Sequence, residues 1–230
     1  MPTLFVISAG VSTPSTTRQV ADALAEAVAN AAGSNPLDIT TVELREYASD
    51  LAHAVSTGIS TKRLDELKRS LSAADGLIAA TPVFAASYSG LFKMLFDILD
   101  TDALNGMPTI LAATAGTPRH SLVTEHAMRP LLTYLRAVIV PTSVFAATED
   151  FGGVGGKALN QRIERAAQEL AGLMFSTPNT RFSGPENADY STRPRKSGLD
   201  LDDDFVPFSE LLAGHSGVPA SSEPGAATMR

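Results

Sequence analysis

SAGVSTPSTTR, residues 8–18, is the stretch that decides which fold this chain adopts. It follows the apolar, β-branched run TLFVIS (3–8). It leads into residues 15–32, where Val20, Leu24, Ala27 and Val28 recur at helical spacing. Strand, short loop and helix open a doubly wound sheet, and the loop tells the variants apart. A dinucleotide fold would carry G-x-G-x-x-G here and a P-loop G-x-x-x-x-G-K-[ST]; neither is present. Six of the eleven residues are instead hydroxylated: Ser8, Ser12, Thr13, Ser15, Thr16 and Thr17. Pro14 suits the entry of a helix and Ser15 its N-cap. Capping alone accounts for one or two such residues, not for six. Hydroxyls together with free backbone N–H groups at a helix N-terminus hold a phosphate dianion without lysine, the usual chemistry for the phosphate of a mononucleotide. Arg18, in the first helical turn, either reaches that phosphate or faces solvent.

Working outward, strand and helix signals alternate. DITTVEL (38–44) reads as a strand, residues 61–73 as a helix, and GLIAAT (76–81) as a strand. A helix carrying Leu91, Leu95 and Ile98 follows. Pro108 then opens the strand TILAAT (109–114), and a long helix is expected over about 120–136. AVIVP (137–141) is read as the fifth strand and 157–174 as the fifth helix. FGGVGG (151–156) comes after the last strand, away from the phosphate loop, and is read as a flexible connector rather than a nucleotide loop. Apolar runs alternating with amphipathic helices imply an α/β fold with a five-stranded, doubly wound parallel sheet covered on both faces.

The chain has 230 residues, 44% hydrophobic and 19% charged, enough for one sizeable core. A formal charge of -7 argues against a nucleic-acid surface. Cysteine is absent, which excludes disulfides and thiolate chemistry and suits a reducing compartment. MPTLFVISAG has no basic leader region and no run of about 18 apolar residues occurs, so no membrane span and a cytoplasmic location are expected. The core is expected over 1–175. Beyond it stand Pro178, Pro185, Pro194, Pro207, Pro219 and Pro224, the basic RPRK (193–196) and the acidic DLDDD (200–204). Residues 176–230 therefore read as an extended, partly disordered tail, with FVPFSELL (205–212) suited to docking on a neighbouring subunit. Leu91, Phe92, Met94, Leu95, Phe96, Ile98 and Leu99 are more apolar residues than one sheet-facing stripe needs, which points to a homodimer or homotetramer.

TPVFAASYSGLFKMLFD (81–97) gives the third loop. Ser87, Tyr88, Ser89 and Gly90 separate a strand from a helix at the sheet edge where open α/β folds bind ligands. Pro82, Val83 and Phe84 offer an apolar wall and Ser89 a hydroxyl. The fourth loop, TAGTPRH (114–120), brings Thr114 and the small residues Ala115 and Gly116, whose backbone N–H groups can approach a ring edge closely. First, third and fourth loops converge on one ligand, and flavin mononucleotide fits such a site. His120, beside Arg119, stands near where a pyridine nucleotide would stack; it reads either as a ligand contact or as a loop histidine fixing the backbone. His126 and Arg129 are expected to face a subunit interface.

The Ser/Thr-rich first loop, TPVFAASYSGLFKMLFD and ATAGTPRHSLVTEHAMRPLL (113–132) together resemble the NADPH-dependent FMN reductase family, especially the flavin reductases partnered with luciferase-like or alkanesulfonate-type monooxygenases. The likeness spans about residues 3–172. Two departures stand out: Phe84 occupies a place where tyrosine is common, and no arginine lies within residues 8–17. The resemblance implies a flavodoxin-like fold, FMN and NADPH or NADH as cofactors, and a helix after the fourth loop that can be locally distorted. It also implies hydride transfer without an obligatory acid or base, so no catalytic residue is named, and delivery of reduced FMN to a monooxygenase partner. Two alternatives remain beside it: a flavodoxin-type electron carrier, for which this chain with no Trp and four Tyr is poor in ring clamps, and an NAD(P)H quinone or azo-compound reductase.

Overall fold

Alternation along β1 (Thr3–Ser8) shows how one strand serves two faces: Leu4 and Val6 enter one apolar cluster, Phe5 and Ile7 the other. Successive side chains of a strand point to opposite faces, so a strand covered on both sides must be apolar throughout. The computed structural model describes residues 1–151, 153–175 and 195–197.

After β1 come α1 (Thr16–Ala32), β2 (Asp38–Glu43), a 3₁₀ turn (Leu44–Tyr47), α2 (Ala48–Thr57) and α3 (Lys62–Ala73). Then β3 (Gly76–Phe84) and the two-residue β4 (Ser87–Tyr88) lead into α4 (Gly90–Asp97) and β5 (Pro108–Ala115). The strands β1, β2, β3 and β5 are parallel, in the order β2-β1-β3-β5. Helix α1 and the last helix, α6 (Gly153–Phe175), bury Val20, Leu24, Leu159 and Leu170 against one face. Helices α2, α3 and α4 bury Leu51, Leu64, Leu71, Phe92 and Leu95 against the other. The doubly wound α/β expectation holds, as do the starts of α1 and α3, where Ser15 and Thr61 accept from backbone N–H groups three residues on.

Three expectations need correction. The fifth strand is not 137–141 but two short pieces, β6 (Val138–Ile139) beside the start of β5 and β7 (Val144–Ala147) beside its end, so with β4 the strands among the described residues number seven. Between the pieces Pro141 has no N–H to give a ladder, and the excursion is pinned by Thr142, whose N and Oγ1 both donate to the Glu169 carboxylate at 2.7 Å. The long helix over 120–136 is a 3₁₀ turn (Pro118–His120), a π-helical turn (Thr124–Met128) and α5 (Arg129–Tyr134). FGGVGG is not a connector, because Gly153–Gly156 form the first turn of α6; there a Cβ on Gly155 would stand 2.9 Å from the Glu149 carbonyl. Helix α2 was not foreseen at all.

FVPFSELL lies outside the described residues. Of the tail, Arg195 is seen against the core: its Nε donates to the Asn105 carbonyl at 3.1 Å and its Nη1 to the carbonyls of Ser72 and Ala74. The last two end α3, whose own final turn holds no basic residue, so Arg195 supplies the missing cation and donors. Burial holds its pKa below the usual arginine value, with Asp75 opposing. Among the described residues no helix is long and apolar enough to cross a membrane.

Candidate active site

Register places the loops. Ser8 pairs with Ala80 and Glu43, and Pro82 with Thr114, so the segments leaving β1, β2, β3 and β5 emerge together at the C-terminal edge of the sheet. They enclose a cleft of about 310 Å³. The first loop contributes Gly10, Val11, Ser12, Ser15, Thr16 and Thr17 to its lining. The third contributes Pro82, Val83 and Phe84, and the fourth Thr114, Ala115 and Gly116. Larger grooves of about 550 and 460 Å³ run along α1 and α6 on the flank, but they lack converging loop donors, and the chemistry is read from the edge cleft.

The first loop is built around the start of α1. Ser15 Oγ accepts from Arg18 N at 3.2 Å and keeps its own proton to donate. A Cβ on Gly10 would come within 2.0 Å of that oxygen, so the turn closes only with glycine there. Thr17 Oγ1 and Thr114 Oγ1 are 2.7 Å apart, both buried, tying the first loop to the fourth. One hydroxyl proton joins the pair, leaving the other free for a ligand. With the N–H groups of a 17-residue helix pointing the same way, this donor set fits a phosphate.

The opposite wall is a hairpin the sequence did not signal. Val83 pairs with Tyr88 and Phe84 with Ser87, and the two residues between, Ala85 and Ala86, have φ of 48° and 64°. Both lie in the left-handed region of a type I′ turn, which normally takes Asn-Gly; with alanine, no composition cue exists. Phe84 is 48% exposed at the rim.

Four expected site residues are not in the lining. Ser8 is fully buried at the end of β1, and its Oγ has no partner among the described residues. Ser89 caps α4, accepting from Phe92 N at 3.3 Å while its own N donates to Thr81 Oγ1 at 3.0 Å. Arg18 is held by Asp22 at 2.7 Å and Glu43 at 3.1 Å; the hydrogen bond to Asp22 raises its pKa despite partial burial. His120 ends the 3₁₀ turn of the fourth loop, half-buried.

Gly10 and Val11 of the first loop line the cleft without having been singled out, and two residues outside the expected loops were missed. Thr148, just past β7, lines the cleft; placing the fifth strand at 137–141 hid it. Arg45, in the turn after β2, donates from Nη1 to Ser12 O at 3.2 Å and to Thr13 Oγ1, and from Nε to Glu43 at 2.9 Å. Its signal was positional, because β2 lies beside β1. Beyond the fourth loop the π-helical turn sets Glu125 against Arg129, with Oε2 2.6 Å from Nε and Oε1 2.7 Å from the donating Ser143 Oγ. The Arg129 guanidinium holds the Glu125 carboxyl below its ordinary pKa. π-Turns are rare and frequent at functional sites.

The model of the NADPH-dependent FMN reductase family matches residues 2–152. An NADPH-using FMN reductase of Pseudomonas aeruginosa is 36% identical over 169 residues, 73% of this chain and 89% of its own length. The NADH-dependent FMN reductase SfnF of Pseudomonas fluorescens is 37% identical over the same coverage. Among solved structures, an oxidoreductase from Corynebacterium diphtheriae is 62% identical with a TM-score of 0.74, covering 76% of this chain and 97% of that one. The apo NADH:FMN oxidoreductase EmoB is 28% identical with a TM-score of 0.64, covering 79% and 94%.

Proposed function

The chain belongs to the NADPH-dependent FMN reductase family, and from that premise we propose how its own residues hold the two substrates and what the reduced flavin is for. It is an NAD(P)H:FMN oxidoreductase with the flavodoxin-like α/β fold. The observation that carries the site assignment is the single cleft in which the N-terminus of α1, the β3–β4 hairpin and the fourth loop meet.

The first-loop end takes the phosphate. The first N–H groups of α1, the hydroxyls of Ser12, Ser15 and Thr16, and the free proton of the Thr17–Thr114 pair converge there. Pro82, Val83 and Phe84 take one side of the isoalloxazine ring. Ala115 and Gly116 offer backbone groups to its edge, and Gly116 has open space around its Cα. Ser8, Arg18 and Ser89 act from behind, by closing the strand end, fixing the turn with Asp22 and Glu43, and capping α4. His120 borders the side from which a nicotinamide approaches. FMN, when bound, supplies the hydride acceptor. The protein's part is to stack the rings, exclude water and fix the approach, with no side chain acting as acid or base.

The finer reading is that this domain, residues 1–175, delivers reduced FMN to a flavin-dependent monooxygenase in the cytoplasm, works as a homodimer or homotetramer and carries residues 176–230 as a tail. The sequence resemblance supports the delivery role. Half-buried Leu91 and Met94 on α4, with Ile98 just past its end, support the oligomer. Steady-state oxidation of NADH and NADPH with free FMN, then with a quinone, tests the core: turnover only with quinone overturns the flavin assignment. Light scattering at micromolar concentration tests assembly, where a monomer overturns it.

A further inference from the structure

The first loop meets an anion with hydroxyls and N–H groups but no cation of its own. Arg18, the nearest arginine in sequence, has its Nε on Asp22 and an Nη1 on Glu43, two carboxylates that neutralise it. The Glu43 carboxylate is bridged from the other side by Arg45 Nε at 2.9 Å, and Arg45 Nη1 reaches Ser12 O and Thr13 Oγ1. Arg45 is therefore the one of this pair of arginines whose guanidinium touches the phosphate loop itself. Its Nη2 has no partner among the described residues, and its side chain is 30% exposed.

The fold delivers it there. Glu43 pairs with Ser8 across β1 and β2, so Arg45, two residues further on, falls beside the turn that begins at Ala9 and Gly10. A planar fork with fixed donors can hold a carboxylate along one edge and a backbone carbonyl along another, which a lysine cannot. Counted together, Arg18, Arg45, Asp22 and Glu43 are neutral, so a dianion arriving at Ser12 meets a balanced cluster with its positive member on the loop side.

We propose that Arg45 is the positioning cation of the phosphate loop: it clamps Ser12 and Thr13 in the donor geometry and lends the flavin phosphate the positive charge that residues 8–17 lack. This rests on the flavin reductase reading. It makes Arg45 a determinant of FMN over riboflavin, because only the phosphorylated flavin senses the charge.

The test is calorimetric titration of the full chain with FMN and with riboflavin, for wild type, Arg45→Ala, Arg45→Lys and Glu43→Gln, each checked for folding by circular dichroism. Arg45→Ala should weaken FMN about 10- to 100-fold, the loss of a charge-assisted contact, and leave riboflavin within about twofold. Arg45→Lys, which restores the charge without the fork, should recover part of that loss. Glu43→Gln removes a competing negative charge and should tighten FMN. Equal weakening of both flavins by Arg45→Ala, or weakening of FMN by Glu43→Gln to the same extent as by Arg45→Ala, overturns the electrostatic role and leaves a purely structural clamp. A wild-type protein that binds neither flavin overturns the reductase reading and this proposal with it; one that binds FMN with no change in Arg45→Ala overturns this proposal alone. Should Arg45→Ala fail to fold, Arg45→Lys and Glu43→Gln decide by their opposite shifts.

Discussion

The two walls of the cleft are held by different means. At the first loop the backbone turns with glycine where closeness demands it, Ser15 caps α1, and Thr17 and Thr114 share a hydrogen bond across 97 residues of sequence. At the β3–β4 hairpin two alanines sit at positive φ, where an L-residue costs about 1–2 kcal/mol. They are kept there by the strand pairs on either side, by the Thr81–Ser89 bond and by the Tyr88–Phe92 ring contact at 5.7 Å. On the reading proposed above, the wall that meets the phosphate is held by a cap and a cross-loop hydrogen bond while keeping hydroxyl protons free to donate. The wall proposed to meet the ring tolerates a strained backbone, because neighbouring packing over-determines it.

The largest expected effect separates the walls by ligand. Ser15→Ala with Thr17→Ala should weaken FMN by about one to three orders of magnitude, at about 1 kcal/mol per neutral donor and roughly 1.5–3 for a charge-assisted one, while riboflavin changes little. Titration with both flavins checks it, and equal losses would overturn the phosphate role of the first loop.

Next comes a change remote from both walls. Arg195→Ala strips three carbonyl contacts at the edge where α3 ends and should cost about 1.5–3 kcal/mol. At about 2–4 °C per kcal/mol for a chain of this size, melting should drop by several degrees. FMN affinity should not move. An affinity loss comparable to that of the hydroxyl double variant would mean that the cleft is not an independent unit.

Smaller effects of opposite sign sharpen the contrast in backbone. Ala86→Gly relieves a left-handed alanine and should stabilise by about 0.5–1 kcal/mol after glycine's own entropy cost. Gly10→Ala should destabilise, since its Cβ displaces the Ser15 cap. Thermal melts of the two variants decide; the same sign for both would mean that the walls do not differ in strain.

The smallest concerns pH. Glu125 has its folded pKa lowered below 4.5, chiefly by the hydrogen bond from Arg129. Its contribution is thus complete above 4.5 and disappears as pH falls through the folded value. Because the side chain is 42% exposed, solvent screens the pair and the effect is small. Glu125→Gln should narrow the gap in melting temperature between pH 6 and pH 3 slightly; an unchanged gap refutes the assignment.

What could be read beforehand followed from local chemistry. Hydroxyl density marked the first loop that lines the cleft, Ser15 announced its helix, and continuous apolar runs announced a sheet covered on both faces. Where local chemistry was silent or misleading, reading failed. Ala85 and Ala86 carry no turn signal, AVIVP looked like one strand although Pro141 and the pull of Glu169 divide it, and FGGVGG looked like a connector although Gly153–Gly156 form the first turn of α6.

Legible in the residues alone were the class of fold, the hydroxylated first loop and the family to which the chain belongs, because periodicity, caps and clustered hydroxyls act over a few residues and survive without knowledge of neighbours. It took the assembled sheet to show that Thr17 meets Thr114, that Thr148 joins the cleft, that the guanidinium of Arg45 rather than that of Arg18 touches the first loop, and that Arg195 closes α3. Each of these joins groups 30 or more residues apart, or depends on strand register. Such contacts are set by which strands lie side by side, which no local pattern of residues encodes.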